Sequence, residues 1–573
     1  MPSPRLVPIT VVLATVLVAC KHKDKAPPDD SAQPDSGDSH HYATEFTAVT
    51  LASDEPAPLQ LAVEACAGLE NRQLGGSVYI QTDTNDQDWL AELALSPAET
   101  VSAQDFLDRC AGDFPACVRY DYASQHAVLP AILTAAAVLG AVPLDPSVPV
   151  DCTDVALDAT VELADANTPE LATRYVFDHY ADQTTGLAML NPGFDINADD
   201  HANPALTQDM SRDTVDFVFS QRLFALFLVN GCVPGDPENT LLDEIVNAGN
   251  WPTPLGVYGY NDSWLVGGFL YEAQTRCLES RNMGAIPTKV GNLSFFSSRR
   301  APIQEPGEVV QNAPEDITYD PSMTYVAFVV GDGDNVSYIL SKRNVWFQQR
   351  LDSCAKTPET CAPITWTISP HLPELAPDVL EWYYTSSKQT GKDYFALPPS
   401  GHLYAYPTSL NAQDQDRFVS ATEKDAQILD THSTVHWDWL DTWDQATSSF
   451  LPKYAGAGVI QGIIPVNVPY LVDAFPDWPD DQYYQVLDGS VVVFRPRQWR
   501  GIDGADEFTL SPKQMAAELG AYPAGTVAAV YMTSDGGLAL DNSFLPLVGL
   551  LPDHVQLVSA DTAARLAQEA SAR

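Results

Sequence analysis

From residue 251 onward, short apolar runs return at roughly 30–45-residue intervals, and this rhythm restricts the fold more than any other feature of the chain. The runs are Gly256–Tyr260, Tyr325–Val330, Ile364–Ile368, Tyr394–Leu397, Thr434–Trp437, Val459–Ile464, Val491–Phe494, Thr526–Met532 and Val555–Val558. Each has strand length. Helical or loop segments such as Ala376–Ser387 and Pro512–Leu519 lie between them. Parallel strands need a crossover of about a dozen residues or more, and the spacing leaves room for one each time. The expectation is a C-terminal (β/α) barrel-like domain over residues 251–573, with an open doubly wound sheet as the runner-up. Residues 46–250 read as a mixed α/β N-terminal module. Leu59–Leu69 and Val128–Leu144 have helical character, the latter ending near Gly140; Ser77–Gln81 reads as a strand and Thr214–Val229 as an apolar helix.

Polar and aromatic residues follow the runs rather than precede them. Asn261-Asp262, Asp332-Gly333-Asp334-Asn335, Ser369-Pro370-His371 and Pro399-Ser400-Gly401 come after the first four. Further on stand Asp438-Trp439, Pro465-Val466-Asn467, Arg495-Pro496-Arg497 and Ser534-Asp535-Gly536. In parallel α/β folds the site lies at the carboxyl ends of the strands, so these residues are the candidates.

The N-terminus is a processing segment. Leu6–Ala19 is almost wholly apolar but short for a membrane span. It ends in Leu17-Val18-Ala19-Cys20, which resembles the bacterial lipobox. That resemblance implies a lipoprotein signal peptide over residues 1–20, lipidation of Cys20 and membrane anchoring; Lys21 in place of Asp favours the outer membrane. Residues 21–45, rich in Lys, Asp, Pro and Ser, read as a disordered tether. The folded body is then periplasmic or extracellular.

Eight cysteines remain after Cys20, an even number that suits disulfides in an exported chain. Cys110 with Cys117, and Cys354 with Cys361, are near enough to close small loops; Cys66, Cys152, Cys232 and Cys277 are left open. Acids outnumber bases 76 to 30, for a net charge of −46. With no basic stripe, such a surface excludes nucleic acid as a partner.

The loop Gly331-Asp332-Gly333-Asp334-Asn335 lacks the third glycine of a phosphate-binding turn, and its carboxylates repel a pyrophosphate. Asp332 and Asp334 fit the first positions of a calcium loop, but Val336 and Ser337 break the pattern. A tight Asp-Gly turn and a carboxylate-lined cleft remain.

Ser400-Gly401-His402-Leu403-Tyr404-Ala405-Tyr406-Pro407 resembles the signature of the GxGYxYP family of putative glycoside hydrolases, with Leu403 in place of the second glycine. The resemblance extends to Asp332–Asn335, to Ile364–Pro370 followed by Leu375-Ala376-Pro377, and to Asp393-Tyr394-Phe395. In the first half it takes in Gly68–Arg72, Trp89-Leu90 and Gly291–Ser294, so that it runs from Leu59 to Leu566. It implies a carbohydrate substrate or ligand and carries no catalytic assignment of its own, so the roles must come from the chemistry.

Glycoside hydrolysis needs two carboxyls, ~5 Å apart in retaining and ~6.5–9.5 Å apart in inverting enzymes. The candidates are Asp332, Asp334, Asp438 and Asp262, with Glu272 and Glu374 ranked lower. In an extended strand Asp332 and Asp334 would share a face at ~6–7 Å, with Asp438 or Asp262 across the barrel. Asn335, His371, Ser400, Gly401, His402, Tyr404, Tyr406, Trp439, Asn467 and Asp535 are the candidate substrate-binding residues. Alternation places His436 and Asp438 on one face of their strand and Trp437 and Trp439 on the other. No HxxxH accompanies His371 and His402, so no metal or other cofactor is expected. Ser400-Gly401 lacks a nucleophile elbow. Two rivals stand beside the hydrolase: a non-catalytic carbohydrate-binding lipoprotein, and a metal-dependent polysaccharide deacetylase, which needs Asp and His ~2.0–2.2 Å from a metal.

Overall fold

The computed structural model describes residues 42–573, except 83–88, 192–212, 249–250, 252–253, 260–269, 440–441, 457, 469–477, 480, 503–507 and 534–538, and the side chains of 270–274 and 467–468. The first half builds three small parallel sheets. Strand β1 (Thr47–Thr50) pairs with β2 (Val78–Gln81) and β3 (Glu99–Ser102). Strand β4 (Ala116–Arg119) pairs with β5 (Val142–Leu144) and β6 (Asp154–Asp158). Strand β7 (Leu187–Met189) pairs with β8 (Phe224–Leu226) and β9 (Leu255–Gly259), and β9 pairs in turn with β10 (Met283–Ile286).

The crossovers are helices with recognisable ends. Ala57–Gln73 and Leu129–Leu139 both carry proline in the first turn, where a missing N–H costs nothing. The second stops at Gly140, whose φ of 64° is a left-handed cap, as the sequence suggests. Two segments from the first half lock together. Asn71 spans Val78 N–H and C=O and also donates to Ser294 Oγ at 2.9 Å, while Asn292 makes the same two-point contact with Ile80 at 2.7 Å. These residues clamp β2 in place.

The second half centres on β11 (Thr324–Val330), every residue of which is buried. It pairs along one edge with β19 (Val527–Met532). Along the other it meets β20 (Val555–Val558) first and β12 (Ile364–Thr367) at its end. Beyond β12 lies β13 (Asp393–Ala396), and beyond β19 lies β18 (Arg497–Trp499). A second ladder runs β14 (Ser433–Trp439), β15 (Gly462–Val468), β17 (Val491–Phe494) and β16 (Tyr484–Leu487), with β16 and β17 antiparallel. One parallel bridge, Leu397 to Thr434, joins the two. The architecture is a mixed α/β fold of parallel sheets.

Each apolar run holds a strand, but three readings need correction. The run at Gly256–Tyr260 pairs with β7 and β10, so the ladder it joins crosses the boundary expected at residue 251; spacing identifies a parallel strand without naming its partner. Thr214–Val229 is not one helix. A helix over Val215–Gln221 stops where Arg222 turns left-handed (φ 56°), and β8 follows, because a wholly apolar segment has no period to separate helix from strand. The disulfides are Cys66–Cys110, Cys117–Cys152, Cys232–Cys277 and Cys354–Cys361. Cys354–Cys361 closes the small loop expected. Cys110 and Cys117 do not pair, since Cys110 lies on helix Ala103–Asp113, which packs against the helix carrying Cys66.

Candidate active site

The loop after β11 is held by close packing. A Cβ on Gly333 would stand 2.1 Å from the Thr367 carbonyl oxygen, and one on Gly331 would stand 2.2 Å from the Tyr531 hydroxyl. Gly333 N–H donates to Thr367 Oγ1 at 2.9 Å, and that hydroxyl donates to Val330 C=O at 2.7 Å. Beneath the loop, buried Arg343 donates to Thr367 C=O at 2.6 Å and to Gly331 C=O. The glycines therefore bring the loop onto β12. Asp332 has φ +60°, so the extended path expected for the Asp332–Asp334 pair is replaced by a turn with one left-handed residue. Asn335, a candidate for substrate contact, uses its Oδ1 on Ser337 N–H at 3.1 Å and Ser337 Oγ at 2.6 Å; it caps the helical segment that starts at Val336.

Asp334 is 8% exposed, and its Oδ1 is buried without a hydrogen-bond partner among the described residues. Burial, and then the neighbouring Asp332 carboxylate, push its carboxyl up to about 8; its own backbone N–H and the Arg343 cation pull more weakly the other way. At neutral pH this acid keeps its proton. A neutral carboxyl beside an acidic partner, at the end of a buried strand, can protonate a leaving group.

Asp438 differs. It is fully buried and its oxygens are engaged by Thr408 and Thr442 hydroxyls, by His436 Nε2 at 3.0 Å and by Trp439 N–H at 3.0 Å. His436 stacks on Phe450 at 5.3 Å. The pair thus faces the segment after β14, and Asp438 acts as an internal tie there instead of the open cross-barrel carboxylate expected. The two tryptophans take the opposite face, as alternation requires. Trp437 meets Tyr404 edge-on at 5.2 Å, and Trp439 meets Tyr406 at 5.0 Å under the Arg276 guanidinium, 3.8 Å from its ring. Both tyrosines are buried, so among the described residues they pack the fold and present no open face.

The rest of the signature is structural in the same way. Ser400 Oγ donates to Ala405 C=O at 2.7 Å and accepts Trp437 N–H at 2.8 Å. Gly401 has φ +98° and a Cβ there would lie 2.6 Å from Thr422 Cγ2. Leu403, where the signature carries glycine, fills the space left by Gly256 and Gly284, whose added Cβ atoms would meet it at 3.0 and 2.7 Å. Tyr404 pairs through its backbone with Ala285, tying the signature to β10.

His371 and His402 lie 5.3 Å apart, ring to ring. His371 Nε2–H donates to the His402 carbonyl at 2.7 Å, and His402 Nδ1 pairs with Asp425 Oδ2 at 2.6 Å. Burial sends the His371 imidazole down to about 3, leaving it neutral. Among the described residues, no group of three His, Cys, Asp or Glu side chains could hold a metal. Asp262, Asp535 and the side chains of Asn467 and Glu272 lie outside the described residues.

Three groups escaped sequence reasoning. Glu279 is 2% exposed and accepts Tyr406 N–H at 2.5 Å; burial, aided by Asp438, lifts its carboxyl well above the usual range. It sits in sequence at the end of helix Leu270–Glu279, not in one of the segments that follow a strand, and only the fold brings it to Asp438 at the end of β14. Arg343 and Asp425 also lie on helical segments, and only three-dimensional proximity marks them.

Fold and site together define an α/β protein with an acid pair at the end of its central parallel strand. Residues 322–476 match the model of the GxGYxYP putative glycoside hydrolase C-terminal domain, the family that the signature at Ser400–Pro407 resembles. A putative hydrolase from Bacteroides thetaiotaomicron VPI-5482 shares the fold over 92% of this chain and 96% of its own, with a TM-score of 0.67 and 17% identity. A putative polysaccharide deacetylase from Mycobacterium smegmatis overlaps 45% of this chain and 94% of its own, at TM-score 0.29 and 14% identity. The 4-alpha-glucanotransferase of Thermococcus litoralis overlaps 42% and 40%, at TM-score 0.29 and 13% identity. None of the curated proteins matches.

Proposed function

We propose that this chain is an envelope lipoprotein that hydrolyses glycosidic bonds, with Asp334 as the general acid and Asp332 as its carboxylate partner. The observation that carries the reading is the buried Asp334 carboxyl, whose Oδ1 has no hydrogen-bond partner among the described residues and whose burial beside a second acid favours its protonated form. Asp334 O–H gives its proton to the glycosidic oxygen as the C–O bond breaks. Asp332 either takes the sugar carbon directly or activates a water; their separation in the substrate complex decides between retention and inversion.

The barrel reading enters here as well. Strands β11, β12, β13, β14, β15 and the β17–β18 run follow in sequence, and β18 returns to β19 beside β11. That order supports a ring whose carboxyl ends share one mouth. The family match supports carbohydrate as the substrate class.

The test is a screen of the purified chain against chromogenic glycosides and glycans, with and without chelator. Cleavage that survives chelation supports the acid pair; cleavage that chelator abolishes favours metal-dependent chemistry; binding without cleavage favours a carbohydrate-binding role.

A further inference from the structure

Two cavities meet at one wall. One, of about 800 Å³, lies between the loop at Pro302–Pro306, the turn at Pro370–Glu374 and helix Ala412–Ile428. The other, of about 320 Å³, lies between that turn and the β9–β10 side of the N-terminal sheet, where Gly256, Tyr258 and Ile286 line it together with Phe217 and Gln221. His371, Glu374 and His402 border both. Each volume is in or near the range of sites that enclose a small organic ligand, roughly 300–1,000 Å³.

The shared wall presents fixed hydrogen-bonding groups. A carbonyl only accepts, so His371 must hold its proton at Nε2, leaving Nδ1 as an acceptor. Asp425 likewise fixes the His402 proton at Nδ1 and leaves Nε2 without a partner among the described residues. Burial holds the Glu374 carboxyl above its ordinary range, toward a donor form. Around them stand amides at Gln304 and Gln427, and flat apolar surfaces at Pro370, Pro373, Phe217 and Tyr258. Fixed acceptors, amide donors and flat faces in one lining suit a polyol with alternating hydroxyl edges and C–H faces. The chain's net charge of −46 disfavours an anionic one.

We propose that these two cavities form one binding groove for a neutral oligosaccharide, separate from the Asp332–Asp334 loop, with His402, oriented by Asp425, as its anchoring contact. The choice of carbohydrate rests on the glycoside hydrolase reading; the groove and its His–Asp pair do not.

Calorimetric titration tests this on the full chain in mild detergent, carrying Asp334→Asn to prevent turnover. The probes are maltotetraose, cellotetraose, xylotetraose and chitotetraose. At least one is expected to bind, with His402→Ala raising its Kd at least tenfold and Asp425→Asn raising it less, since the ring remains but can turn. Gln427→Trp, an exposed change that fills the larger cavity, is expected to abolish binding and decides the matter if His402→Ala fails to fold. Binding by none of the probes, or binding unchanged by Gln427→Trp, overturns the groove. Binding that depends on His402 in a chain whose wild type cleaves no glycan would retain the groove and remove the hydrolase reading.

Discussion

At Asp334 a single carboxyl links stability to activity. Its unfolded value is 3.8 and its folded value about 8, so between those pH values the folded chain holds a proton that the unfolded chain has released. Stability contributed by this group is therefore full below about pH 4 and falls as pH rises toward about 8. Asp334→Asn removes the dependence. Thermal melts should show the variant more stable than wild type at pH 7.5, by roughly 4–5 kcal/mol, with the two converging at pH 4. A variant less stable at pH 7.5 would mean that the carboxyl is ionised and paired in the fold. Gly333→Ala forces a methyl into the Thr367 backbone, and urea titration should show a loss of about 3 kcal/mol together with loss of activity. The Asp-Gly-Asp loop was legible because two acids after an apolar run have few structural uses. Glu279 was not, because a helix-terminal glutamate looks solvated until Tyr406 and Asp438 close over it.

Among the elements, the signature segment after β13 joins three others. Ser400 holds β14, Tyr404 holds β10, and Leu403 fits between Gly256 and Gly284. The leucine that departs from the signature is thus accommodated by glycines on β9 and β10, and its φ is not among the positive ones. Leu403→Ala should leave a cavity and cost about 3 kcal/mol by denaturant titration; a neutral outcome would show that the gap closes by itself. From residue 251 onward each apolar run singled out by sequence rhythm holds a strand, because a buried parallel strand is a short continuous apolar stretch, whereas in the first half only β2 was read as a strand. The rhythm missed β10, β16 and β18: Met283–Ile286 contains glycine, Tyr484–Leu487 is half-polar, and Arg497–Trp499 follows a proline that reads as loop. Ladder partners were beyond it, since they depend on contacts between distant segments. The same holds for Asp438, whose alternation was read correctly while the neighbours on its face, Thr408 and Phe450, come from other parts of the chain.

For the whole molecule, the large acidic excess keeps polyanions away, which agrees with the neutral glycan proposed as ligand. Cys20 and the segment after it lie outside the described residues; the anchor proposed from the lipobox-like sequence would hold the body at a membrane surface. Cys20→Ala should move the chain from the membrane fraction to the soluble fraction on cell fractionation, and retention in the membrane would remove the anchor from the account. The central claim concerns a proton on Asp334, and its most direct test is the rate at which wild type and Asp334→Asn release reducing ends from a glycan panel across pH 5–10. The account predicts wild-type cleavage that declines as pH rises through about 8, and a variant slower by about a thousandfold or more at every pH. A variant that cleaves as fast as wild type would contradict it.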